Sequence, residues 1–144
     1  MTTVMTIGYQ DRTVEQLIAA LVAADVKVLV DVRLTPLSRK PGLSENGLAT
    51  RLRDAGIEYL HLPQLGNPRD NRDAFRRGHA SAKERYQAVL ETPEARSALD
   101  ELLWLARQQR VALMCFERDA IQCHRSMIID ALVAEAGTVK IAHL

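Results

Sequence analysis

"VKVLVDV", residues 26–32, is the stretch that decides the fold. Val26, Val28, Val30 and Val32 are β-branched, Leu29 lies among them, and the apolar character barely alternates. A strand with one solvated face alternates apolar and polar side chains. A continuous run suits a strand covered on both faces, as in a parallel sheet flanked by helices. The run carries Asp31 and is followed by Arg33, so charge arrives just where the strand stops.

The pattern continues outward from this strand. On the N-terminal side "VMTIG" (4–8) predicts a first strand. The helix "TVEQLIAALVAA" follows it, with Thr13 and Gln16 at capping-box spacing and Val14, Leu17, Ile18 and Leu21 on one face. On the C-terminal side the proline-containing "RLTPLSRKPGL" leads to Ser44, read as the N-cap of a helix through Leu48 and Leu52 to Gly56. "IEYLHL" (57–62) predicts the third strand. The polar "PQLGNPRDNRDAFRRGHASA" reads as a long loop, followed by a short helix around 82–90. Thr92 and Pro93 open a helix to about Gln109, with Leu99, Leu102, Leu103 and Ala106 on its apolar face. "VALMCF" (111–116) is the fourth strand, and "VKIAHL" a short final one. Between them Asp119 and Gln122 have capping-box spacing and predict the start of a helix that ends at Gly137.

Strands alternating with helices require crossover connections. The expectation is one three-layer, Rossmann-like α/β domain over residues 1–144, with a mostly parallel five-stranded sheet and helices on both faces. Strand order does not follow from the pattern. At 144 residues, 47% apolar and 26% charged, the chain can bury a full core, and 4% aromatics make that core aliphatic. A formal net charge of +1 gives no global attraction to nucleic acid or anionic membrane. No apolar run reaches the length of a membrane span and "MTTVMTIGYQ" lacks a signal-peptide layout, so a cytoplasmic location is expected. Two cysteines are too few for a disulfide framework; in a reducing compartment they would be free thiols, metal ligands or a redox pair.

In parallel sheets ligands gather outside the carboxyl ends of the strands. Those ends deliver Gly8 and Tyr9, then Asp31 and Arg33, then His61 and Gly66, then Cys115 and Glu117, with Cys123, His124 and Arg125 close behind. If Asp119 caps the last helix, Cys123 lies in its first turn, where the macrodipole favours a thiolate. Equally, free cysteines are among the most buried residues, and both thiols can be plain packing. A phosphatase or sulfurtransferase cradle needs arginine six positions after cysteine, whereas Arg125 lies ten beyond Cys115. Cys115, Cys123, His124 and His61 could supply four metal ligands, but paired close spacings are missing and adjacent Cys-His rarely point the same way on a helix. No metal is therefore assigned. A thioredoxin-like CxxC is absent too, although two thiols flanking one loop can meet.

Arg33, Arg39 and Lys40 bring three positive charges with no acid from residue 33 to 44, beside the hydroxyls of Thr35 and Ser38. This set suits a phosphate or carboxylate, arginine forking onto the oxygens; a solvated loop held by an Asp31–Arg33 ion pair is the structural alternative. From Gly66 to Tyr86 six Lys or Arg face three Asp or Glu, with Phe75 and Tyr86 interspersed. A basic segment of this kind could hold phosphates and stack bases, or serve as a solvated lid or oligomer contact. GxGxxG, Walker and GxSxG elements are absent.

"TIGY", "VLVDVRLTPLSRKPGL", "GIEYLHLPQLGNP" and "VALMCFERDAIQCHRSMIIDAL" together resemble the domain-of-unknown-function family 488. The resemblance spans nearly the whole chain and is weakest over residues 67–92. It implies a compact α/β domain whose DVR, P-x-S-R-x-P and C-x-E-R…C-H-R elements meet at one site. Its signature positions would be Asp31, Arg33, Ser38, Arg39, Pro41, His61, Gly66, Cys115, Glu117, Cys123, His124 and Arg125. One departure stands out: members usually carry histidine where this chain has Tyr9, so an activity that used that histidine would be altered here.

The leading expectation is a small enzyme acting on an anionic, nucleotide-like or phosphate- or carboxylate-bearing ligand. Asp31 or Glu117 would be acid or base, with His124, and Cys115 or Cys123 a nucleophile. Tyr9, Arg33, Ser38, Arg39, His61 and Arg125 would hold the ligand. The cofactor is unspecified, and a homodimer is compatible with the chain. The alternatives are a nucleic-acid-binding or repair-associated module using loop 67–86, and a thiol-based redox sensor.

Overall fold

A computed structural model describes residues 2–144, apart from the side chain of Ile121. Its five strands, β1 (Thr2–Gly8), β2 (Val28–Asp31), β3 (Glu58–His61), β4 (Val111–Cys115) and β5 (Val139–His143), form a single sheet in the order β3-β2-β4-β1-β5. Every neighbouring pair is parallel, which sharpens the expected "mostly parallel" sheet. Helices α1 (Val14–Ala23) and α2 (Glu45–Asp54) cover one face. Helices α4 (Ala80–Leu90), α5 (Pro93–Gln108) and α6 (Arg125–Ala136) cover the other, with α3 (Arg72–Arg76) leading into them.

The alternation of side chains along each strand sorts the core into two layers. Val28, Val30 and Val32 enter the α4–α6 layer with Val111, Leu113 and Cys115, whereas Leu29 joins Met5, Ile7, Ala112 and Met114 beneath α1 and α2. The β2 run is indeed buried on both sides. Thr13 and Gln16 form the expected reciprocal capping box, and Thr92 caps the backbone N–H of Ala95. Among the described residues no helix is long and apolar enough to cross a membrane.

The chain leaves β1 and β4, which lie side by side, toward opposite edges and opposite faces of the sheet. That is the topological switch point at which doubly wound sheets open a crevice. Here backbone fills part of it: a Cβ on Gly8 would overlap the Glu117 carbonyl, so only glycine lets the post-β4 segment lie this close. Gly66 has the same role against Leu34.

Three expectations need correction. Segment 67–86 is not a long loop: a 3-10 turn (Arg69–Asn71), α3 and the start of α4 occupy most of it. Asn71 holds these turns by donating to Asn67 Oδ1 at 2.9 Å and to the Ala82 carbonyl at 3.0 Å. These tertiary hydrogen bonds outweigh the turn-rich composition. The last helix does not start at Asp119–Gln122. A 3-10 turn (Ala120–Gln122) intervenes and α6 starts at Arg125, so Cys123 precedes the helix. Ser44 sits at the N-cap of α2 without capping it; its hydroxyl instead accepts from Ser38 N at 3.0 Å and donates to Ser38 O at 3.2 Å.

Candidate functional site

The strand ends deliver two groups of polar side chains, one on each side of the sheet's carboxyl rim. On the α1/α2 side Asp31 is fully buried and accepts from four donor groups: Arg33 N at 3.1 Å, Arg33 Nε at 2.9 Å, Arg33 Nη2 at 2.7 Å and Tyr59 Oη at 2.6 Å. Arg33 Nη1 donates to the Leu43 carbonyl at 2.7 Å and reaches Tyr9 Oη at 3.4 Å, while its guanidinium lies 5.4 Å from the centre of the Tyr9 ring. Burial alone would lower the Arg33 pKa, but the hydrogen bond and charge of Asp31 outweigh it and hold the group above its ordinary value. Burial first, then Asp31, pushes the Tyr59 hydroxyl up as well.

This side is saturated. Arg33, expected to hold a ligand, is 5% exposed and ties the loop after β2 to Leu43 instead. Tyr9 is buried against Phe116 and Arg33. The two expected histidines act as clamps on consecutive carbonyls: His124 Nε2 donates to Val32 O at 2.8 Å, and His61 Nε2 to Arg33 O at 2.7 Å. A carbonyl can only accept, so Nε2 carries the proton in both rings and the Nδ1 of neutral His124 keeps a lone pair.

On the α4–α6 side that lone pair faces Cys123 Sγ at 3.5 Å. Cys123 and Cys115 are joined by a disulfide, so neither is the free nucleophile that the sequence suggested. Glu117 Oε2 lies 3.5 Å from Cys115 Sγ, and Oε1 accepts from Arg76 Nη2 of α3 at 3.2 Å. Tyr86 of α4 presses edge-on against the His124 ring, with centroids 5.2 Å apart. Burial holds the His124 pKa down at about 4. Arg125, 1% exposed, donates from Nη2 to the carbonyls of Glu117 at 2.6 Å and Arg118 at 3.4 Å, and among the described residues its Nε has no hydrogen-bond partner. Desolvation lowers its pKa to about 10, opposed by the charges of Glu117 and Asp119. This buried cation touches main-chain carbonyls, and among the described residues it forms no ion pair.

A cleft of about 400 Å³ opens outside these two groups, lined by Thr35, Leu37, Ser38, Arg39, Ser44, Arg69 and Arg72. No acid lines it. Arg39, Arg69 and Arg72 are exposed, and among the described residues their guanidinium groups have no hydrogen-bond or ion-pair partner. The acids next to Arg69 and Arg72 in sequence are already engaged: Asp70 accepts from Arg85 at 2.9 Å, and Asp73 lies 3.3 Å from Arg77. The hydroxyl of Ser38 accepts from Lys40 N at 3.1 Å, which holds the loop in place. Lys40 itself points away, donating to Tyr9 O at 3.0 Å and Arg12 O at 3.2 Å.

Of the residues singled out in the sequence, Ser38 and Arg39 line the cleft, while Asp31, Arg33, Tyr9, His61 and His124 brace the loop behind it. Glu117, Cys115, Cys123 and Arg125 gather on the opposite side. Only the basic character of segment 66–86 signals Arg69 and Arg72, and their approach to Arg39 is tertiary. Tyr59, Arg76 and Tyr86 were missed as partners. Helix α3 links cleft and sulfurs, since the Arg72 charge helps to depress His124 while Arg76 holds Glu117. Phe75 and Tyr86, the aromatics of the basic segment, are buried at 2% and 0% exposure and offer no surface for base stacking.

A family model described as domain of unknown function DUF488 matches residues 13–132. No curated protein matches the chain, and no solved structure does.

Proposed function

This chain belongs to the family of domain of unknown function DUF488, and we propose that it binds a small anionic ligand at the carboxyl rim of its sheet. The observation that carries the reading is the cleft itself: among the described residues, three arginines without side-chain partners converge there with two serine hydroxyls and a threonine, and no carboxylate lines the walls. Arginine forks match the oxygens of phosphate and carboxylate, and 400 Å³ lies within the range of small-molecule sites. In this reading Arg39, Arg69 and Arg72 hold the anion and Ser38 helps to orient it. Asp31 and Arg33 are its frame, not its acid and its anion holder, since their hydrogen-bonding capacity is already taken up inside the fold.

The test is thermal unfolding of the chain with nucleotides, sugar phosphates, carboxylates and inorganic phosphate at fixed pH and ionic strength. A ligand at a hundredfold excess over its dissociation constant adds about 2.7 kcal/mol of stability. The expected result is a selective shift that disappears in Arg39→Ala and Arg72→Ala. A shift that survives both substitutions, or none from any anion, overturns the reading.

A further inference from the structure

The cysteine cluster has features that neither a plain disulfide nor the anion cleft accounts for. Four potential donors, Cys115 Sγ, Cys123 Sγ, His124 Nδ1 and Glu117 Oε2, are brought together in the α4–α6 layer. The ligand atoms of Cys115, Cys123 and His124 lie within 4.8 Å of one another. Cys115, Cys123, Glu117 and His124 are at most 6% exposed. Once the disulfide is reduced, the donors of Cys115, Cys123 and His124 are compact enough for one tetrahedral ion, and Glu117 Oε2, outside that set but beside Cys115 Sγ, is the fourth donor at hand. Zinc bonds of about 2.3 Å to sulfur and about 2.0 Å to nitrogen or oxygen set ligand atoms roughly 3.5 Å apart along a tetrahedral edge. Two edges already have that length, Cys123 Sγ to His124 Nδ1 at 3.5 Å and Cys115 Sγ to Glu117 Oε2 at 3.5 Å.

The surroundings match as well. A ligating histidine ordinarily donates its other ring N–H to a carbonyl or carboxylate, and His124 Nε2 does so to Val32 O. The backbone N–H of Arg125 points at Cys123 Sγ at 3.4 Å, a contact that favours thiolate over thiol. Adjacent Cys and His side chains diverge on a helix. In the fold both residues precede α6, one closing the 3-10 turn and the other at the N-cap, and their donor atoms converge.

We propose that the reduced chain holds one divalent zinc-like cation on Cys115, Cys123, His124 and Glu117. The site is independent of the anion cleft. Its formation starts by reducing the disulfide: a water-soluble phosphine attacks one sulfur, and water converts the adduct to phosphine oxide and two thiols. The two thiols then bind M²⁺ and release two protons, while neutral His124 and ionised Glu117 bind without losing one.

The experiment titrates Co²⁺ into the phosphine-reduced, folded protein without oxygen, followed by Zn²⁺. The expected result is one cobalt per chain, with the intense visible bands of a tetrahedral site and sulfur-to-cobalt charge transfer in the near ultraviolet. One equivalent of zinc should bleach both, protect both thiols from alkylation and release about two protons per metal. Glu117→Gln should weaken binding and keep the charge-transfer band, while Cys123→Ser, which leaves one sulfur, should cut that band at least by half. Should the serine variant not fold, the bands, thiol protection and proton release of the native chain decide alone. A reduced, folded chain with only weak octahedral cobalt absorption, or whose thiols stay reactive with metal present, overturns the proposal. Arg39→Ala and Arg72→Ala, which test the anion cleft, should leave the cobalt spectrum unchanged.

Discussion

The two sides of the carboxyl rim use the same raw materials, buried charge and hydrogen-bonding side chains, with opposite results. On the α1/α2 side Asp31 and Arg33 satisfy each other, and Tyr59, Leu43 and the backbone take what remains. On the α4–α6 side Arg125 is as deeply buried, yet it donates to carbonyls, its Nε has no partner among the described residues, and the charges of Glu117 and Asp119 only partly offset its burial. A buried ion pair that is complete in itself is a structural device; a buried charge that the fold only partly offsets is a candidate functional position. The carboxylate and guanidinium most conspicuous in the sequence are thus the least available to a ligand.

The sharpest way to break this contrast is Asp31→Asn, which leaves the Arg33 guanidinium buried without its counter-charge. It should cost about 3–5 kcal/mol in chemical denaturation. A loss below about 1 kcal/mol would mean that the pair is not what holds this side together.

Acidification probes the other side. His124 is buried neutral, with its pKa lowered from 6.5 to about 4. Between those values the unfolded chain takes up a proton that the folded chain refuses, so stability rises with pH through this window and is lost as pH falls from 6.5 toward 4. The shift corresponds to about 3 kcal/mol. In His124→Gln the unfolding free energy should fall less steeply across that window than in the native chain; identical slopes would remove His124 as the cause.

Tyr59→Phe makes a smaller test of the saturated side. It deletes one short hydrogen bond to a charged acceptor that keeps three other donor groups, and about 1–2 kcal/mol should be lost. The smallest effect is expected from Arg72→Ala. Its exposed guanidinium has no partner among the described residues, so stability should change by less than about 0.5 kcal/mol even as anion binding disappears. A substantial destabilisation there would mean that the cleft arginines are structural after all.

Much of this architecture is legible in the residues themselves. The unbroken β2 run gives a sheet buried on both faces, and the Thr13 capping box and the Thr92–Pro93 start fix two helices, because these signals depend on neighbours within a few positions. Asp119 and Gln122 have the same local signal and it misleads. The chain there is drawn back across Gly8, and Arg125 anchors it through the Glu117 carbonyl, so a 3-10 turn takes the place of the helix start. The rim residues are legible as a group, since strand ends collect them. Which of them are already partnered is not, because Tyr59, Leu43 and Tyr86 reach Asp31, Arg33 and His124 only through the tertiary fold. Segment 67–86 shows the same limit, its helices depending on Asn71 reaching Asn67 and Ala82.

The strand order carries a consequence for self-association. Strand β1 is interior, lying between β4 and β5, and Val4, Met5, Thr6 and Ile7 are buried. The sheet's edges fall to β3 and β5, four and five residues long, and each shows a charged residue to solvent, Glu58 and Lys140. Short, charged edges discourage strand-to-strand pairing between molecules. Strand β5 therefore shields β1 as well as pairing with it: peeling it away would uncover a long apolar strand with its hydrogen-bonding groups unpaired, a ready template for aggregation.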